Sequence, residues 1–358
     1  MSAPTLAPVT SAWVTGWIGR RGLATGACTA LVGGVALWLV LQPLGHLPGL
    51  VKVPAVAASL AAMYQGYRTA GRSIWGATWD PVFWLSCVWL VCLASGAALA
   101  DLLPLAEHAD ITASIAEPGN ARPDLLSSHP VGTNNFSLDL LARCLHGARV
   151  SLSTAMLAAT FALVVGGTIG MIAGYLRGRF DRVTGLVTDS MLAFPALVFL
   201  VALAAVLGAP ESAPEAVLKT GIALGVVGLP VMIRLARANT LAIASSEFVV
   251  ASKVLGATRS RIMVGDLVPN VVLPLLSYSF VLIAVLVMAE GSLAFLGLGL
   301  QQPNPTWGNM IAEGGLTTLT EHPHIPLVPG AFMFATVLSL NVVGERATAR
   351  WNPRESNL

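Results

Sequence analysis

Two acids sit inside long apolar runs of this chain: Asp189 in "LVTDSMLAFPALVFL" and Glu290 in "VLVMAEGSLAFLGLGL". An ionised side chain at the centre of a bilayer costs roughly 2.5–3.5 kcal/mol on insertion scales, so each must face protein or water. Two readings stay open for both: a position in a transport pathway or gate, or a helix–helix hydrogen bond. The cost falls if Glu290 lies near the outer end of its run. Other chemistry is thin. His322 and His324 form an H-x-H pair in "EHPHIP", but Glu321 is the only carboxylate beside them, so they read as loop histidines rather than metal ligands. The chain contains no G-x-x-x-x-G-K-[ST] phosphate loop, no H-E-x-x-H and no G-x-S-x-G. The expectation is a chain with no catalytic residues, no cofactor and no metal, whose energy comes from a partner.

The elements that must place these residues follow from composition. Apolar residues make up 55% of the 358 and charged residues 11%, against roughly 25% charged in an ordinary soluble domain. Lipid must therefore be the solvent for much of the surface. The net charge of +2 carries no nucleic-acid footprint. Apolar windows predict spans near 23–42, 81–103, 150–175, 184–209, 216–236, 271–297 and 326–345, with a weaker one at 51–67 interrupted by Pro54. If 51–67 spans, only Lys52, Arg122, Arg143, Arg149 and Lys219 fall on one side and the other 15 Lys and Arg on the opposite side. That bias places both termini in the cytoplasm with eight spans. Residues 104–148 then form a polar outer loop. Arg20-Arg21 precedes the first span, but no small-x-small site follows it, so it reads as an uncleaved anchor. The four cysteines show no CxxC spacing and take no redox role.

Small residues supply the packing device. In "VVGGTIGMIAGY", Gly166, Gly170 and Gly174 fall on one helical face, which lets another backbone approach closely, and "TGIALGVVGLP" repeats the pattern. Between the spans ending near Arg237 and beginning near Val271 lies a short polar and basic stretch, "SSEFVVASKVLGATRSRIMVGDLVPN". "SEFVVASKVLG" reads as a helix with Ser245 or Ser246 as N-cap, Glu247 at the positive end and Gly256 as a left-handed stop. Phe248, Val249, Ser252 and Leu255 share one face, flanked by Lys253, Arg259 and Arg261. So short a helix does not hold alone in water. It needs a groove in a soluble partner or a bed of lipid headgroups, and the residues alone leave both open.

This stretch resembles the Glu-Ala-Ala loop of inner-membrane permease subunits of ABC importers, in the dipeptide, oligopeptide and nickel family's "C" branch. Three other segments resemble that family in the same order: "HPVGTNNFSLDLLARCLHGARVSLSTAM" at 129–156, "DRVTGLVTDSMLAFPALVFLVALAAVLG" at 181–208 and "AEGSLAFLGLGLQQPNPTWGNMIAEG" at 289–314. The resemblance implies an all-α, polytopic membrane protein with a type I ABC-importer-like six-span core plus about two extra N-terminal spans. Its parts would be an extension at 1–80, the first core span and the start of the outer loop at 81–128, the permease core at 129–345 and a cytoplasmic tail at 346–358.

It also implies a coupling helix that seats on a cytoplasmic ATPase, with Glu247, Phe248, Val250, Ala251, Ser252 and Gly256 at or beside that contact. The implied partners are a homologous second permease subunit, two cytoplasmic ATP-binding subunits, an extracytoplasmic substrate-binding protein and membrane lipid, in a bacterial inner membrane. The chain itself would be no enzyme. The implied cargo is peptide; nickel or another small solute is the alternative, and a stand-alone secondary transporter is the rival class. That rival needs intramembrane charge pairs, and the sequence shows no cation at the depth of Asp189 or Glu290. Departures from the family pattern are Val250 where an acid is usual, Ser252 where an alanine is, and Asn134 where an aspartate is.

Overall fold

The structure is a computed structural model that describes residues 25–32, 34, 49–75 and 80–351, apart from 116, 125, 126, 209, 211 and 314. Most of the expected span at 23–42, together with Arg20, Arg21 and Arg354, therefore lies outside the described residues. The chain divides into two units, Met1–Leu85 and Ser86–Leu358. In the first, α1 (Gly49–Trp75) runs continuously through Pro54. The helical stretch at 25–32 lies against it, where Gly26 meets Gly66 so closely that a Cβ on either would press on the other's carbonyl. α1 is not among the five described helices that are long and apolar enough to cross a membrane.

The second unit is helical throughout apart from its loops. It comprises α2 (Pro81–Ala98, whose first turns belong to the first unit), α3 (Leu140–Leu176), α4 (Gly178–Ala193), α5 (Ala196–Leu207), α6 (Ala213–Ala244), α7 (Glu247–Val254), α8 (Arg259–Phe295), α9 (Trp307–Glu313), α10 (Gly315–Glu321) and α11 (His324–Trp351). The five apolar helices are α2, α3, α6, α8 and α11; counting the bent α4–α5 pair as one span makes six. α3 and α8 each contain one π-turn, at Ala162–Gly166 and Ile262–Leu267.

α6 is the centre. It packs along α3 and α8 and also meets α4 and α5. Lipid supplies no hydrophobic force between helices, so close backbone approach has to do the work. A Cβ on Gly225 would lie 2.8 Å from Phe161, and one on Gly170 would lie 2.7 Å from the Ala236 methyl. A Cβ on Gly174 would lie 2.8 Å from the Arg237 carbonyl, and one on Gly166 would lie 3.1 Å from Met232. Partners climb in the same order along both helices, from Leu157–Gly221 to Gly174–Thr240, so α3 and α6 run parallel. α2 joins the bundle through Trp89, whose indole N–H donates to Thr336 at 3.1 Å and whose ring meets Phe332 edge-on.

Two expectations need correction. The window 184–209 is not one straight span: α4 and α5 meet at a 94° bend. Pro195 disfavours helical geometry at the residue before it, and Phe194 is extended, at φ −80° and ψ 137°. The outer loop ends at Asp139, not at 148, because α3 begins at Leu140. Hydropathy rejects that first stretch for Arg143, His146 and Arg149, but each has a partner: Glu313 for Arg143, and Asp101 for both His146 and Arg149.

The seam makes a direct prediction. Gly170→Ala forces a Cβ onto α6, whereas Gly330→Ala in α11 meets nothing within 4 Å. Both gain the same helix propensity, so their difference isolates the clash. Thermal unfolding of the purified chain in nanodiscs should place Gly170→Ala about 1–3 kcal/mol below Gly330→Ala.

Candidate functional site

Three places hold the sequence-predicted residues. The first is α7. Only Ser245 and Ser246 separate it from α6, and Gly256, at φ +82°, closes it in the left-handed conformation that glycine adopts without strain. Ser246 is the N-cap in extended geometry, but its hydroxyl donates back to the Ile243 carbonyl instead of capping α7. Val249 is fully buried in a small core with Ala244, Ile262 and Leu267, which fixes α7 to the π-turn of α8. The expected apolar face is corrected accordingly, because Val249 points inward. The outward face carries Phe248, Val250, Val254 and Leu255, of which Val254 and Leu255 are 82% and 86% exposed. Glu247, Ala251 and Gly256 are exposed as well, while Ser252 is half-buried. Lys253 places its ammonium 5.6 Å from the centre of the Tyr175 ring.

The second place is an open hollow between α4 and α6, of about 970 Å³. Asp189 lies there, and the expectation that it has no cation partner is wrong: Arg234 Nη2 donates to its Oδ1 at 2.5 Å. Both side chains are more than half exposed. Two turns toward the start of α4, Asp181 takes two hydrogen bonds from Arg237, with Nη2–Oδ2 at 2.8 Å. This second pair is the more sheltered. The missed signal was a matching pattern, with two acids eight residues apart on one segment and two arginines three apart on another. Hydropathy counts such arginines only as orientation markers.

The third place is the end of the bundle that holds Glu290. Glu290 is buried five residues before the end of α8 and accepts a 3.0 Å hydrogen bond from Ser151 of α3. The Ser151 hydroxyl also accepts from the Trp307 backbone N–H at 3.3 Å, and the Trp307 indole donates to the Cys144 carbonyl at 3.0 Å. Glu290 thus makes a contact between helices, and Asp189 alone of the two acids lines the hollow. Beyond it, Arg143 and Glu313 form a fully buried ion pair. Arg143 also donates to the His108 and Pro303 carbonyls, and Asn134 donates to the second Glu313 oxygen at 3.0 Å. An aspartate at 134 would set two carboxylates face to face, which gives the departure at Asn134 a physical reason. His129 Nδ1 lies 3.1 Å from Asp139, whose other oxygen caps α3, and Nε2 lies 3.4 Å from Glu117. Glu107 accepts from three backbone N–H groups, those of Ala109, Asp110 and His108, which hold its carboxyl below the usual range. His322 and His324 stand edge to face with ring centres 6.1 Å apart.

The family model described as "Binding-protein-dependent transport system inner membrane component" matches residues 166–357, which contain the hollow, α7 and Glu290. The chain belongs to this family. It is 31% identical over 272 residues to the dipeptide transport system permease protein DppC of Alkalihalophilus pseudofirmus, across 75% of this chain and 86% of that protein. It is 28% identical to the glutathione transport system permease protein GsiD of Pectobacterium atrosepticum, across 64% of this chain and 73% of that protein. A solved inward-facing methionine ABC transporter, MetNI, superposes with a TM-score of 0.49 at 17% identity, across 60% of this chain and 98% of that one. The protein is a multi-pass inner-membrane permease subunit of the peptide-importer type.

The permease's buried pair yields a prediction. Arg143→Met strands the Glu313 carboxylate away from water and should cost about 3–5 kcal/mol. Arg143→Met combined with Glu313→Leu removes the stranded charge and should recover most of the loss. Chemical unfolding of the single and double variants in nanodiscs measures both.

Proposed function

We propose that this permease forms half of a peptide pathway, beside a homologous permease, and takes its power from two cytoplasmic ATPase subunits that grip α7. A binding protein on the far side would deliver cargo to the mouth shaped by the outer loop and the segment before α9. The subunit itself catalyses nothing, and both termini lie with the ATPases. The observation that carries this reading is the outward face of α7, where Phe248, Val250, Val254 and Leu255 stand exposed on a helix clamped at Val249 to its own chain. A helix lying on lipid headgroups has no need of so firm an anchor, whereas a helix that transmits force does. The names of relatives such as DppC and GsiD support peptide as the cargo. Val250, where an acid is usual, keeps the shape of the contact and makes it more apolar. The Asp189–Arg234 pair answers one requirement of a stand-alone transporter, but its two side chains are more than half exposed rather than enclosed within the chain.

Coupling is tested in proteoliposomes that hold the complete transporter with its ATPases and binding protein. Phe248→Asp and Leu255→Asp should cut peptide uptake by roughly tenfold or more, the scale of losing one interface anchor. Basal ATP hydrolysis and membrane insertion should persist. Gly256→Pro should do the same, because proline cannot adopt φ +82°. Normal coupling in all three variants would rule out the docking role, and uptake of a different solute in place of peptide would rule out the cargo.

A further inference from the structure

The hollow between α4 and α6 contains more charge than its packing needs. Five charged side chains line it: Asp181, Arg182, Asp189, Arg234 and Arg237. Arg237 and Asp181 are the sheltered pair that fastens α4 to α6. Asp189 and Arg234 are 67% and 55% exposed, and a pair so open to solvent adds little to stability. Arg182 is exposed and makes no ion pair among the described residues. Charges in a membrane chain do not face lipid, so the hollow borders water or polar groups. Its volume of about 970 Å³ is ample for a short peptide.

Spacing narrows the solute. Arg182 and Asp189 are seven residues apart on α4, so they lie on one face, two turns and roughly 10.5 Å apart along the axis. An extended chain of three residues reaches roughly 10–11 Å. The two side chains carry opposite charge, as do the two ends of an unblocked peptide.

We propose that this hollow is a transit site for zwitterionic tripeptides, with Arg182 receiving the terminal carboxylate and Asp189 the terminal ammonium. Arg234 occupies Asp189 when no cargo is present and is the counter-ion the ammonium displaces. The two charges thus set a preference for free peptide ends inside the permease itself, in addition to any choice made by the binding protein. This inference rests on the peptide-import reading above.

The test measures ATP-driven uptake by proteoliposomes of the complete transporter with its binding protein. The probes are trialanine, its C-terminal amide and its N-acetyl derivative. The binding protein contributes the same factor to wild type and variants, so any change in the ratio between probes belongs to the permease. Arg182→Gln should lower uptake of free trialanine by roughly three- to tenfold, the loss of one partly screened charged contact. It should pull the free-to-amide ratio toward one and leave the free-to-acetyl ratio alone. Asp189→Asn should do the reverse. Arg182 has no ion partner among the described residues, so its variant strands no charge. A merely structural pair would shift both ratios equally or neither. Wild-type peptide uptake with both ratios unmoved in the two variants, or with free trialanine undiminished in Arg182→Gln, overturns the transit site and leaves the permease reading intact. No uptake of any probe by the wild-type transporter overturns the peptide reading and the transit site with it.

Discussion

The parallel contact between α3 and α6 is the constraint on which the rest of the permease depends. In water the burial of apolar surface would drive two such helices together; in lipid it does not, and contact area at short range must replace it. Glycines on both helices, Gly166, Gly170 and Gly174 on one and Gly221 and Gly225 on the other, remove the Cβ atoms that would hold the backbones apart. The helix so fixed is the one from which everything functional leads. α6 carries Arg234 and Arg237 into the hollow, and it ends two residues before α7. A small shift along this seam would move the ion pairs and the short helix together.

Charge is the scarce resource, and its placement shows the same economy. The burial of Arg143 and Glu313 is weak evidence for stability, because removing two ions from water costs about what their attraction returns. Its consequence is geometric. One guanidinium holds the carbonyls of His108 and Pro303 as well as Glu313, so the outer loop, the segment before α9 and the start of α3 share a single registration point. Glu290 works similarly, through Ser151 and Trp307. The pairs that line the hollow between α4 and α6 are partly exposed instead.

Much of this was legible in the residues. The short helix, its glycine stop and the small-residue faces all rest on local rules, and local rules act within a few positions of the chain. What escaped was non-local or directional. The Asp189–Arg234 pair joins residues 45 positions apart, which no window of hydropathy can see. Helical spacing groups Val249 with Phe248, Ser252 and Leu255 on one face, but spacing gives neighbours and not the side that a chain turns inward. The start of α3 was hidden because hydropathy scores Arg143 as a charge, whereas in the fold it is half of a neutral pair. The bend after α4 was the one miss with a local signal: Phe194-Pro195 stood in plain view inside a window long enough to be taken for a straight span.

The connections also say how a push on α7 would travel. Val249 binds α7 to Ile262 and Leu267, which belong to the π-turn of α8, and the two-residue link binds it to α6. A force on the outward face must therefore load α6 and α8 together, and these two helices pack on one another. α4 is tied to α6 through the Asp181–Arg237 pair and meets α5 at a 94° bend. A π-turn interrupts the regular hydrogen-bond ladder of a helix and often stands at a functional site, and the one in α8 lies directly under Val249. The hollow lies between α6 and α4. In the proposed role, closing of the ATPases would carry the whole wall of the hollow, charges included, without opening the glycine seam behind it.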